Sequence, residues 1–458
     1  MKLFDILRQP VLEETRRNLR RSSARVPEAH RGPRQMLGRG GNGCGATIGA
    51  LPRCDFACAG CYLGETANRT PAAPLEEIKA QILALRPTLG NGGNLQLTDG
   101  EVTLRSVEEI IELLRYAQSL DLIPMLMTHG DAFRRRPGLL ERLVVEGGLV
   151  EVSIHIDTTQ RGRLGAAFRH ARTEEELMPL RDEFAGMIRQ VSRKTGRELR
   201  AATTMTVTAD NLGGVPAVIR WLAANADTFR LVSFQPVAQV GRTRDGLGGT
   251  VAVEALWAAI AEGFYGPAAR PDALDGGHVH LGHPACSRYL PGVVIADEGK
   301  APAFHPLRSE DDPVRSRGFD GFLDRFGGVT FRLDTRAERV VRMLALALRA
   351  PRFVLGGIVP YLAHWCRVAD PERPLGFALR LARGRASTAS LIVVSHHFMS
   401  RDEVESALGR ERLDLCVFHV PVEGRLVPMC EVNATGLRDR YYAGLAATSP
   451  ERLPNVRS

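Results

Sequence analysis

Six strand-like stretches, separated by runs with helical spacing, constrain the fold of this chain more than any other feature. They are Ala46 to Leu51, Asn94 to Thr98, Ile123 to Met127, Val150 to Asp157, Ala202 to Thr208 and Phe229 to Pro236. Pro74 to Leu85 shows the intervening helical period. Strands that alternate with helices pack as a parallel sheet, because each crossover helix returns the chain to begin the next strand on the same side. The expectation is an α/β protein with a partial (β/α)6 TIM-like barrel over residues 46–245. A basic segment precedes it at 1–45, and an α+β region follows at 246–458. Gly-rich Asp245 to Thr250 reads as the linker leaving the barrel.

Barrels of this kind gather their functional groups at the carboxyl ends of the strands. Just beyond the first stretch stand Cys54, Cys58 and Cys61, spaced C-x3-C-x2-C. Three thiolates on one short loop can hold three irons of a [4Fe-4S] cluster and leave the fourth iron open. A ferredoxin loop would supply a fourth cysteine, and zinc would want a fourth Cys or His. Only Cys44 is near, and its spacing matches neither pattern; a structural metal knuckle is the remaining alternative. Other strand ends carry Asp99-Gly100-Glu101, Thr128-His129-Gly130 and Gln235. In Val150 to Asp157 the period of two puts Glu151, Ser153, His155 and Asp157 on one face, which suits a barrel interior holding a polar ligand. A lone strand-end Asp can equally cap the next helix. The shared position of these residues is the argument for a site.

The chain has 458 residues, 44% hydrophobic and 24% charged, enough for substantial cores. Eight cysteines are too few for a disulfide scaffold, and clustered thiolates need a reducing compartment, so a cytoplasmic enzyme is expected. Met1 to Arg25 lacks the apolar core of a signal peptide. The net charge of +8 comes from scattered arginines, including Arg134-Arg135-Arg136, without the aromatic-interleaved stripe of a nucleic-acid binder. A solvated surface, anionic headgroups or a phosphorylated substrate would each account for them. Val340 to Trp365 is strongly apolar, with Arg342, Arg349 and Arg352 along it. It reads either as two buried helices joined at Ala350-Pro351 or as a piece lying at the inner membrane face, its arginines reaching headgroups.

The C-terminal region holds Cys286, Cys366, Cys416 and Cys430. Gly424-Arg425 makes a turn between two apolar runs, so a hairpin would draw Cys416 and Cys430 together. The four cysteines are candidate ligands of a second [4Fe-4S] cluster, or else small buried hydrophobes.

With these residues the chain resembles the radical S-adenosylmethionine superfamily over about half its length, Ala46 to roughly Arg242. The run His396 to Asn433, with Cys416-Val417-Phe418-His419 and Pro428-Met429-Cys430-Glu431-Val432-Asn433, resembles the tetraether synthase group and the overlapping hydroxymethylpterin methyltransferases. The resemblance implies that the open iron chelates S-adenosylmethionine, which a reducing electron donor helps to cleave to a 5'-deoxyadenosyl radical. It implies that Asp99, Gly100 and Glu101 receive the amino group, although Asp99 stands where the superfamily has its first glycine. Gly60 occupies the place of the usual aromatic, so Tyr62 is the candidate to flank the adenine. Ser153 and Gln235 are candidates for the cofactor, and His129 and Asp157, with Glu101, for catalysis. The expected reaction is carbon–carbon bond formation at an unactivated sp3 carbon of a lipid chain. Methylation of a pterin-like small molecule and a non-catalytic iron-sulfur carrier are the alternatives. The chain has too few cysteines for every metal centre of the archaeal enzyme.

Overall fold

A computed structural model describes residues 2–247, 251–332 and 335–448. Its strands are β1 Cys44–Ala46, β2 Asn94–Leu97, β3 Ile123–Thr128, β4 Glu151–His155, β5 Arg200–Val207 and β6 Phe229–Pro236. They continue with β7 Ser287–Asp297, β8 Ala303–Pro306, β9 Ala386–His396, β10 Phe418–Val422 and β11 Arg425–Pro428. All belong to one 11-stranded sheet, ordered β11-β10-β1-β2-β3-β4-β5-β6-β9-β7-β8. β1 to β6 run parallel in chain order, with helices between them. Strands from β2 to β6 and from β10 face one cavity, so the sheet is curled into a half-barrel around it.

Local sequence explains the repeats. In helix Val107–Ser119 the Ser106 hydroxyl accepts the Glu109 N–H, capping the first turn. Ile110, Leu113, Leu114 and Ala117 then lie on one face and are fully buried against the sheet. Each buried Leu or Ile there contributes roughly 1.5–3 kcal/mol. β5 is buried along almost its whole length, and its Ala, Thr, Met and Val side chains suit a strand covered on both faces.

Several expectations are revised. The first strand is Cys44–Ala46, and residues 47–51 instead form the irregular lead into the cysteine loop. The C-terminal region joins the same sheet, because β10 pairs with β1 and β9 with β6, both in parallel. Parallel pairing needs no sequence proximity, only a long crossover, so the run of six repeats does not reveal it. Residues 248–250 of the expected linker lie outside the described residues. The hairpin forms with Glu423 and Gly424 at its turn, both with positive φ, 50° and 75°. The apolar segment is not a buried helix pair. It consists of helix Arg336–Arg349 and a helical run Pro351–Ala369 bent from it by 96°, with much of its apolar surface exposed.

Candidate functional site

The cysteine loop leaves β1 and crosses the carboxyl ends of the strands. Backbone hydrogen bonds from Ala57 to Arg161 and from Ala59 to Thr159, each 2.9 Å, tie it down. Cys54, Cys58 and Cys61 open on one cavity together with Gly100, Glu101, Ser153 and Gln235. Two sulfurs already receive hydrogen bonds: Phe56 N–H donates to Cys54 Sγ and Arg242 Nε–H to Cys61 Sγ, both at 3.4 Å. Burial, then repulsion from Cys61 and Asp157, pushes the Cys58 thiol up to about 12, and burial with Glu101 likewise raises Cys54. Thiols held this close ionise readily only beside a cation, which is what an iron cluster provides. The donor set therefore fits a three-cysteine cluster.

Gly241 and Gly100 bring backbone unusually close to this loop. At Gly241, with φ 56°, a Cβ would sit 2.4 Å from Tyr62 carbonyl atoms, and the turn carries Arg242 onto Cys61. At Gly100 a Cβ would meet the Pro52 oxygen at 2.2 Å. Gly100 N–H donates to Leu51 and Glu101 N–H to Arg53, at 2.9 and 2.8 Å, so the strand-end tripeptide is stitched to the start of the loop.

The two acids of that tripeptide differ. Asp99 is buried, and its carboxylate accepts from Arg438 and the Tyr442 hydroxyl at 2.6 Å each, and from Gly49 N–H. Burial pushes its pKa up against the pull of Arg438. Its side chain thus anchors the C-terminal helix Leu437–Thr448, while its carbonyl takes the Tyr62 hydroxyl. Tyr62 lines the cavity with Arg438 stacked 4.7 Å from its ring centroid. The Glu101 carboxylate accepts from the Thr128 hydroxyl at 2.6 Å, Thr103 N–H at 3.1 Å and His129 N–H at 2.9 Å. The Thr103 hydroxyl also donates to Oε1 and His129 Nε2 lies 3.2 Å from Oε2, so the carboxylate is held from several sides where it borders the cavity.

His129 and Asp157 are occupied by other partners. The His129 ring stacks on Phe56 at 3.7 Å and accepts Asp131 N–H at Nδ1, so Nε2–H donates to Asp55 at 2.7 Å. Burial raises the Asp55 pKa, but His129 and Arg135 outweigh it and hold the carboxyl well below the usual range. Asp55 lies inside the cysteine triplet, so this network clamps the loop to β3. Cys54 Sγ, Asp55 and His129 have ligand atoms within 4.8 Å of one another. Asp157 accepts from Thr159 N–H and Thr206 N–H, both at 2.7 Å, and from His155. Its carboxylate is not among the groups lining the cavity; His155 is there instead, beside Ser153. The period of two placed these side chains on one face, but β4 ends at His155 and the chain turns before Asp157.

The second cysteine group departs from expectation. Cys416 and Cys430 flank the β10–β11 hairpin, where Phe418 pairs with Cys44 across β1. Burial pushes Cys44, Cys416 and Cys430 up to about 12, 12 and 11; Cys416 adds to the shift at Cys44, and Cys286 to the shifts at Cys416 and Cys430. Met399 N–H donates to Cys430 Sγ at 3.5 Å, Phe418 N–H to Cys416 Sγ and Arg412 Nε–H to Cys286 Sγ, both at 3.4 Å. Backbone contacts draw Cys44, Cys286, Cys416 and Cys430 toward one another: Cys44 N–H donates to the Val417 carbonyl next to Cys416, His397 N–H to the Cys286 carbonyl, and Met399 N–H, two residues on, to Cys430 Sγ. Cys366 is not one of them. It sits in helix Val359–Ala369, in an apolar cluster with Trp365, Phe377, Ile295 and Ala386. Ile295 and Ala386 lie at the far ends of β7 and β9 from Cys286 and His396, roughly 30 Å away at about 3.3 Å per residue. Phe398, Phe418 and Met429, neighbours of this cysteine group, line the main cavity.

No family model matches the chain. Over 198 residues it is 25% identical to the 7,8-dihydro-6-hydroxymethylpterin dimethyltransferase of Methanocaldococcus jannaschii, a match covering 43% of this chain and 37% of that enzyme. The chain therefore spans well under half the length of this curated relative. Among solved structures, Streptococcus suis SuiB bound to S-adenosylmethionine aligns with a TM-score of 0.32 and 12% identity, over 45% of this chain and 43% of SuiB. The structure of anSMEcpe with bound AdoMet aligns with a TM-score of 0.36 and 13% identity, over 52% and 63% of the two chains. The cysteine loop, the tripeptide stitched to it and the curated relative make this chain similar to the radical S-adenosylmethionine superfamily.

Proposed function

We propose that this chain uses a [4Fe-4S] cluster on Cys54, Cys58 and Cys61, together with S-adenosylmethionine, to modify an unactivated sp3 carbon. The shared cavity carries the reading, since the three cysteines open on the same space as Gly100, Glu101, Ser153, His155 and Gln235. When bound, the cluster supplies an electron, received from a reducing donor, for cleavage of S-adenosylmethionine. The chain's own part is to bind, orient and exclude water. Glu101 Oε2 and the Gly100 backbone meet the amino group; Ser153, Thr204, Thr206 and Gln235 offer hydrogen bonds to the ribose. Phe398, Phe418 and Met429 form the apolar wall against which a substrate carbon is held.

That wall supports carbon–carbon bond formation on a lipid chain as the first reading of the substrate. Methyl transfer to a pterin-like small molecule is the second, favoured by the relative from M. jannaschii. We assign a second [4Fe-4S] cluster to Cys44, Cys286, Cys416 and Cys430, next to the apolar wall. The test is anaerobic reconstitution with iron counting, followed by an assay for 5'-deoxyadenosine with dithionite and S-adenosylmethionine. Formation of the nucleoside is expected. A fully iron-loaded protein that forms none would be a carrier, and the enzymatic reading would fall. A coupled or a methylated product then separates the two substrate readings.

A further inference from the structure

We propose that helices Lys2–Arg8, Arg336–Arg349 and Pro374–Ala382 and the helical run Pro351–Ala369 form a face that docks on an anionic lipid bilayer. These helices are apolar on two sides. Inward, Leu346 and Ala350 pack with Val11 and Phe326, and Trp365 packs with Phe377 and Ile295. Outward, Val340, Met343, Leu344 and Leu348 recur every three to four residues and are exposed, as are Leu355, Val359 and Leu362 on the next run. Leu348 is 73% exposed, Leu355 71%, Leu375 86% and Phe4 70%. Soluble surfaces scatter such side chains singly, whereas a contiguous apolar field marks a surface that meets something apolar.

Charge and shape identify the partner. Residues 336–385 contain ten arginines against three acidic residues. Arg342 and Arg349 donate to the carbonyls of Pro10 and Arg8, fastening the N-terminal helix beside the patch. Arg352 and Arg367 are exposed on the same elements, and Arg383 and Arg385 are exposed just after the last of them. An aliphatic field rimmed by guanidinium groups complements acyl chains beneath anionic headgroups, and arginine stems can lie along the apolar surface while their charges stay wet. No single helix among the described residues is long and apolar enough to cross a membrane, and the 96° bend keeps the pair from forming one straight span. The face therefore lies in the interface rather than through it. This inference concerns where the protein sits and does not depend on which carbon it modifies.

Vesicle flotation of the full-length, iron-loaded protein tests it, with pure phosphatidylcholine vesicles compared with phosphatidylcholine containing phosphatidylglycerol. Flotation is expected with the anionic vesicles, weakened by salt. The double variant Leu348→Glu/Leu355→Glu should bind at least tenfold less while keeping its iron content and its rate of 5'-deoxyadenosine formation. Because both leucines are more than two thirds exposed, the substitutions leave the core alone. Arg352→Ala/Arg383→Ala should reduce anionic binding selectively. Absence of flotation with every vesicle, or unchanged flotation of the glutamate variant, overturns the proposal. A lipid-free dimer that the glutamate variant dissociates would instead assign the face to a second copy. Since flotation is read separately from nucleoside formation, it can fail while the enzymatic reading stands, and the reverse.

Discussion

The two cysteine groups of this molecule are built in opposite ways. Cys54, Cys58 and Cys61 come from one loop and face the cavity, although the loop itself is tied down by Thr159, Arg161 and Arg242; a cluster they held would keep one coordination position for a ligand. Cys44, Cys286, Cys416 and Cys430 come from three separate segments, Cys416 and Cys430 flanking one hairpin, brought together by the β1–β10 pairing and by the β9–β7 edge. The first group is contiguous in sequence; the second exists only as tertiary structure. If the proposed centres form, the first would need access to exchange its ligand, while a four-thiolate site would close on its metal and suit holding or passing electrons.

The largest effect that tests this contrast is loss of nucleoside formation. Cys54→Ala, Cys58→Ala and Cys61→Ala should each bring 5'-deoxyadenosine to background, and retention of cleavage in all three would break the assignment of the open site. Iron counting probes the other half. A variant lacking all three loop cysteines should keep about four irons after reconstitution. Adding Cys44→Ser should remove them, whereas Cys366→Ser should leave both centres intact. If Cys366 proves necessary and Cys44 dispensable, the grouping described here is wrong.

A smaller effect is expected at the clamp that holds the loop. Asp55→Asn removes the charge that pairs with His129 and Arg135 but keeps a side chain of similar size. We expect cleavage to fall about tenfold, equivalent to roughly 1.4 kcal/mol, with the second centre's iron unchanged. Loss of both centres would mean that Asp55 serves the whole fold. Gly100→Ala should resemble the cysteine variants more closely, because its Cβ has no space beside Pro52.

The smallest effect follows from histidines. In the barrel, His129 and His155 pair with Asp55 and Asp157. In the C-terminal region, burial lowers His280, His305, His396, His397 and His419 to about 4. Because the folded values lie below the ordinary 6.5, the fold holds these rings neutral and the unfolded chain takes up the protons. Stability is thus complete above pH 6.5 and declines as pH falls toward 4. For His396, packed between Tyr289 and Phe398, the loss by pH 5.5 is on the order of 1 kcal/mol. Hydrogen exchange on the apo protein should show the C-terminal strands opening before β2 to β5 as pH is lowered; uniform opening would remove the distinction.

What the sequence revealed follows the same division. The strand runs, the cysteine triplet and the hairpin are local patterns of spacing and could be read directly. Cys44 reads in sequence only as a possible fourth ligand for the triplet, since nothing in its neighbourhood announces a partner more than 370 residues away. Asp55 stood inside the triplet, where an acid between ligands was the available signal of a clamp. Arg242 carried none, because its role depends on a turn at Gly241 that returns the chain to Cys61. The alternating face of β4 was legible, but the end of the strand, which diverts Asp157 into a network with Thr159 and Thr206, was not.

The bond between Asp99 and Arg438 also bears on the order of synthesis. The strand-end tripeptide emerges early from the ribosome, yet the residue that fixes its first member is made some 340 residues later. At about 5–20 residues per second, that interval lasts tens of seconds. β1 waits equally long for β10. Through this time Asp99 and the lead into the cysteine loop stay unlatched, so the final position of the loop is set only after helix Leu437–Thr448 has been made.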